Sequence, residues 1–194
     1  MKKAKKVWSR AGLIGNFVCA SATVGVSVVT LRNNNLKMLD LYKKVEDADV
    51  SGVGTYKHLK ELQVYVANHM NATPPKLGTN PGIQLKNTYE RAKQAETGRV
   101  TAERDRIYNE AISYCEAALP RSLLSDRAQC IIARNGTQTV TERQVVPDLY
   151  RYDFVSPRWS SDVAGWSVIV SIVLIATFLL QIIGRVVSKI LLTN

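Results

Sequence analysis

The sequence predicts a mainly α-helical membrane protein: two transmembrane helices, an extracytoplasmic antiparallel helical bundle between them, and a short disulfide-tied subdomain. Three observations carry this expectation. Residues 11–31 and residues 163–183 are each 21 residues long without one charged side chain. Basic residues gather beyond these runs, at Lys2, Lys3, Lys5, Lys6 and Arg10 and at Arg185 and Lys189, and neither end holds an Asp or Glu. Between the runs, apolar side chains recur at helical spacing.

At 1.5 Å per residue, roughly 20 apolar residues cross a ~30 Å hydrocarbon layer, so each run is long enough to span. Positive charge favours the cytoplasmic side. The expected order is therefore a cytoplasmic basic N-terminus (1–10), transmembrane helix 1 (11–31), an extracytoplasmic helical domain (32–162), transmembrane helix 2 (163–183) and a short cytoplasmic or interfacial tail (184–194). The net charge of +10 does not point to nucleic acid. Seven of the 26 basic residues flank the spans, and residues 32–162 balance 19 basic against 16 acidic side chains. The lipid bilayer is the partner this distribution implies. A cleaved signal peptide is the rival reading of the N-terminus, because Ala20-Ser21-Ala22 resembles a cleavage site. Against it, the apolar run continues past that point to Leu31, and Asn16-Phe17-Val18-Cys19 departs from a lipidation box.

In the first span, the small residues Ala11, Gly15, Cys19, Thr23 and Ser27 recur every four positions. Close backbone approach at such residues is a main source of helix association in lipid. The stripe is expected to pack on the second span or on another copy. Leu31, Asn35, Met38, Tyr42 and Val45 then carry a bundle-facing stripe onward. Ser51-Gly52-Val53-Gly54 breaks the helix, and Thr55 is positioned to cap a second one whose inner face is Tyr56, Leu59, Leu62, Val66 and Met70. Residues 72–82 hold three prolines and two glycines and read as a loop.

A long helix is expected over 83–119, with Tyr89, Ala92, Val100, Ile107, Ala111 and Tyr114 inward, an interruption at Gly98 and a stop at Pro120. A short helix follows over 122–134. Residues 137–146, rich in Thr and Val, favour extended chain. Tyr150, Tyr152, Phe154, Trp159 and Trp166 then form an aromatic cluster of the kind that lies at a membrane boundary. Arg158 within it is a candidate for lipid headgroups or a partner.

Cys115 and Cys130 both fall in the outer domain, where an oxidising compartment favours a bridge over two free buried thiols. Closing 15 residues would stabilise the fold by about 3 kcal/mol. His58 and His69 lack companions at metal-ligand spacing, and His69 suits the carbonyls at a helix end. No nucleophile motif, phosphate-binding glycine loop or zinc motif is present. No catalytic residue, metal or cofactor is therefore expected.

Several segments carry a resemblance. They are Leu31-Arg32-Asn33-Asn34-Asn35-Leu36, His69-Met70-Asn71, Pro75, Ile83-Gln84-Leu85-Lys86, Thr88-Tyr89-Glu90-Arg91, Tyr114-Cys115-Glu116, Cys130 and Phe154-Val155-Ser156-Pro157-Arg158-Trp159-Ser160. Through them, nearly the whole chain resembles an uncharacterised family of two-pass membrane proteins from Saccharibacteria, bacteria of the candidate phyla radiation. The resemblance implies a bacterial plasma membrane, an outward-facing domain and paired cysteines at Cys115 and Cys130. It implies no activity. Three roles fit the layout. A scaffold or subunit of a larger assembly would associate with itself or with other membrane proteins. A ligand-binding sensor would signal laterally to a separate protein, since the short tail leaves no room for an output domain. An oligomeric channel would need a polar pathway, for which Asn16 and Gln181 are the candidates.

Overall fold

Residues 10–193 are described by a computed structural model, and they are mainly helical. The described chain divides into two compact units, one formed by residues 10–83 and 152–193, the other by residues 84–151.

The first unit is organised by α1, Arg10–Ser51, a single helix of 42 residues. Such a helix is roughly 60 Å long, about twice a hydrocarbon layer, so the predicted span and the segment beyond it are one rod. α1 packs against α2, Thr55–Asn68, and against α5, Val163–Thr193. α1 and α5 are long and apolar enough to cross a membrane. Their partners run antiparallel: Asn16 meets Thr177, Phe17 meets Phe178, Ser27 meets Ser171 and Asn34 meets Asp162.

The covered face of α1 steps by fours and threes through Asn16, Ala20, Thr23, Ser27, Thr30, Asn34, Met38, Leu41, Val45 and Ala48. This is a heptad-like seam with one extra step of four at Thr30, Asn34 and Met38, continuous from the apolar run into the segment beyond it. The predicted stripe beyond the span therefore keeps Met38 and Val45, which are buried, and Leu31, Asn35 and Tyr42 at its edges.

The turn between α1 and α2 uses Gly52 and Gly54, both at positive φ (77° and 70°). Thr55 does not cap α2 as expected. Gly54 occupies the cap position without a side-chain bond, and the Thr55 hydroxyl donates to the Ala48 carbonyl at 2.9 Å, tying the hairpin shut. Leu59, Leu62 and Val66 are buried, whereas Tyr56 is exposed. Leu62 and Val66 set the centre of the buried arc, and Tyr56 sits about 90° around from it.

Residues 72–82 are not a plain loop. Lys76–Leu77 (β1) and Asn80–Gln84 (β2) pair antiparallel with Leu77 opposite Asn80, and Arg151–Asp153 (β3) completes the sheet in the order β1-β2-β3. Gly78, at φ 72°, opens the two-residue connection, the position where a hairpin favours glycine. Gly82 is equally required, because a Cβ there would land on the Tyr152 carbonyl oxygen.

The second unit contains α3, Lys86–Ala118, and α4, Leu124–Gly136, followed by a 3-10 turn at Pro147–Tyr150. α3 starts at Lys86, not at residue 83. Ile83 belongs to β2, and Leu85 spends its backbone N–H on the Tyr150 carbonyl. Gly98 sits inside α3 without ending it. Val100, Ile107 and Ala111 are buried as expected and Cys115 is buried with them, but Tyr114 is exposed and instead offers its ring to Arg134 at 3.8 Å. Residues 137–146 are non-helical, as expected, and form no strand.

Candidate functional site

The densest polar constellation in the first unit lies where the apolar part of α1 ends. Asp162 precedes α5 and accepts the Gly165 N–H at 3.0 Å, the bond an N-cap residue makes. The Ser160 hydroxyl donates to the same carboxylate at 2.7 Å and accepts the Met70 N–H at 3.1 Å. Asn34 donates from α1 to Asp162 at 2.9 Å and to the Met70 carbonyl at 3.2 Å. Asn71, in left-handed backbone at φ 57°, donates to the Leu31 carbonyl at 2.9 Å. This collar joins α1, the end of α2 and the start of α5.

Partial burial raises the Asp162 pKa. The hydrogen bonds from Gly165, Ser160 and Asn34, with the charge of nearby His69, outweigh burial and hold the carboxyl below its ordinary value. Gly165 has no room for a side chain, since a Cβ would land on the Ser160 carbonyl oxygen. Sequence reading missed the collar as a unit. The available signals were Asp162 immediately before an apolar run and three successive asparagines at the end of the other.

The predicted small-residue stripe is only partly the packing face. Ser27 is buried and bonds Ser171 at 3.2 Å, and Thr23 is half-buried. Gly15 and Cys19 are exposed, and nothing lies within 4 Å of a Cβ built on Gly15. Ala11, like Lys2, Lys3, Lys5 and Lys6, lies outside the residues whose side chains are described. A strict step of four advances about 40° around the helix each time, so four steps carry the stripe off any straight partner. A seam of alternating fours and threes drifts far less, about 20° per heptad, which is why Ala20 takes the place of Cys19.

Within the same seam, Asn16 donates to the Thr177 hydroxyl at 3.1 Å, and that hydroxyl donates to the Leu174 carbonyl. The Asn16 and Gln181 side-chain oxygens are buried without a hydrogen-bond partner.

Cys115 and Cys130 form a disulfide with Cα atoms 6.0 Å apart. It fastens α4 to the end of α3, and Arg127 reaches Glu116 beside it at 3.5 Å. The aromatic cluster is divided. Tyr150 packs edge-on against Tyr89 within the second unit, with centroids 5.7 Å apart. Tyr152 lies in β3, and the Phe154 N–H bonds the Pro81 carbonyl in the first unit. Trp159 and Trp166 meet edge-on at 5.9 Å beside the start of α5 and are both exposed, as is Arg158.

Among the described residues there is no group of three or more His, Cys, Asp or Glu side chains that could hold a metal. His58 faces Glu61 at 3.2 Å. His69 approaches the Tyr65 carbonyl at 2.9 Å and stacks on the Tyr65 ring, as its place at a helix end predicts. An apolar groove of about 490 Å³ runs beside Leu41, Val64 and Tyr65, with Lys57, Lys60 and His69 at its margins. No family model, curated protein or solved structure matches the chain, so a functional reading rests on this geometry.

Proposed function

We propose that the chain is a non-enzymatic, two-pass protein of a bacterial cell-envelope membrane that serves as a scaffold or subunit of a larger assembly. In this reading both ends are cytoplasmic and residues 32–162 are outside. The observation that carries it is α1, one unbroken 42-residue helix that packs against α5 along its apolar part and against α2 beyond it. Such a rod fixes an outer helical structure rigidly to its membrane anchor, which is the mechanical requirement for a scaffold. The basic residues at both ends support the orientation, and the exposed Trp159 and Trp166 suit the outer interface.

The test is purification from native membranes in mild detergent or nanodiscs, with particle mass and co-purifying proteins identified. A large particle of defined composition supports the assembly. A single chain of 21.5 kDa overturns it. A sensor is the second reading, favoured by the groove beside Leu41, Val64 and Tyr65. It predicts that one class of amphiphile raises the melting temperature by mass action, and that filling the groove with Val64→Trp abolishes the shift.

A further inference from the structure

The face of α1 opposite its packed seam carries a second heptad pattern. Gly15, Val18, Ala22, Gly25, Val29, Arg32, Leu36, Leu39, Lys43, Glu46 and Val50 step by threes and fours without interruption. The five heptads fall about 170° around the helix from the face that meets α5 and α2. None of these residues is covered within the chain. Leu36 and Leu39 are 52% and 43% exposed, and Val50 is 71% exposed.

Lipid accounts for an apolar face only as far as the hydrocarbon reaches. Val50 lies 18 residues beyond Arg32, roughly 27 Å along the helix, where water would otherwise meet it. A face that keeps one heptad register on both sides of that boundary is suited to a helix that also continues through it. A shallow groove of about 420 Å³ lies along the edge of this face, lined by Val28, Leu31, Arg32, Asn35, Leu36, Leu39 and Asn71.

We propose that this face is a homodimer interface, on which α1 of a second copy packs in parallel. The inference rests on the membrane reading above. Copies inserted with one topology must align their first helices in the same direction, so the face meets itself in register about a two-fold axis. The small residues Gly15, Ala22 and Gly25 allow close approach in the span; no atom lies within 4 Å of a Cβ built on Gly15 or Gly25. Leu36, Leu39 and Val50 supply burial beyond it. Lys43 and Glu46 each meet their own counterparts about the two-fold, with the opposite charge of the other copy three residues, one layer, away. Arg32 meets its own counterpart at the hydrocarbon boundary, where a long side chain can turn out to phosphates. That like-charged layer lowers affinity and fixes the register.

The test is disulfide trapping of the full chain in native membranes, with Cys19→Ser as background and Cys115–Cys130 retained. Leu36→Cys and Leu39→Cys are expected to yield a species at twice 21.5 kDa on mild oxidation. Lys37→Cys, on a third face, is expected to stay monomeric. Equal trapping at all three positions, or none at any, overturns the interface. Gly25→Leu, read by particle mass in nanodiscs, should weaken self-association about tenfold by removing the close approach; an unchanged dimer also overturns it. Wild-type particle mass separates the two proposals. A large wild-type particle without trapping leaves the assembly standing and removes this face, whereas a lone wild-type chain removes both.

Discussion

The unit built from α1, α2 and α5 buries a run of side chains along a helix of 42 residues, whereas α4 in the other unit buries no side chain fully. In the first unit, Met38, Val45, Leu62 and Val66 are closed off from solvent, and the collar around Asp162 holds three helices at one level. In the second, four buried residues on α3 are supplemented by a covalent bond, an arginine over a tyrosine ring and ion pairs along an exposed helix. Packing is cooperative and spreads a local loss through its neighbours. Cross-links and ion pairs act where they stand. The two units should therefore fail differently.

The sharpest break is expected from Leu62→Ala. Leu62 is fully buried between α1 and α2, and an unrelaxed cavity of that kind costs about 4 kcal/mol. Hydrogen exchange should accelerate through both helices of the hairpin while α3 keeps its protection. In the second unit, the Cys115→Ser, Cys130→Ser double variant removes a 15-residue closure and should cost about 3 kcal/mol. Exchange there should rise in α4 and leave α1 and α2 unchanged. If either variant loosens both units equally, the division between them is wrong.

The collar gives a smaller and pH-dependent effect. Asp162→Ala removes an N-cap bond and the Asn34 and Ser160 contacts, a loss of about 2 kcal/mol. Because the folded carboxyl titrates below its ordinary value, its contribution is complete above the unfolded pKa. That contribution fades as pH falls through the depressed folded value. The wild-type chain should lose stability on acidification by more than the variant does, read as melting temperature against pH; parallel curves would discount the carboxylate.

What could be read without the structure follows from the same contrast. The spans were legible because they are defined by the absence of charge, a property of composition alone. Leu59, Leu62 and Val66 were legible because one helical arc holds them. The cysteine pair was legible because few residues can make such a bond. The packing face of α1 was harder: Gly15 and Cys19 satisfy a step of four as well as Ala20 and Ser27 satisfy the heptad, and only the partner's position chooses between them. The sheet was hidden by length, since β1 has two residues and the pairing depends on Gly78 and on distant Tyr152 and Asp153. The collar was hidden because Asn34, Met70, Ser160 and Asp162 come from three separate stretches of chain.

The smallest effect tests whether the second unit is stitched together by charge. Glu96 on α3 accepts two hydrogen bonds from Arg99 (2.9 and 2.6 Å) and one from the Arg143 backbone N–H (2.7 Å). Arg99 also donates to the Thr141 carbonyl at 3.0 Å, so one ion pair holds the non-helical stretch before the 3-10 turn. The Arg99 hydrogen bonds, with the Arg143 N–H, lower the Glu96 pKa to about 2. The tether should thus be intact at neutral pH, persist below the ordinary glutamate range and open only as pH nears that value. Glu96→Gln keeps the shape but leaves the acceptor uncharged. Exchange and proteolytic cleavage at residues 138–146 should rise modestly in it at neutral pH, with α3 and the disulfide intact. The wild-type chain should come to match it only in strong acid. Wild-type opening near pH 4 to 5 would show that the ion pair is not what holds this segment, and the remaining candidate is packing of Val140 and Val145, both half-buried.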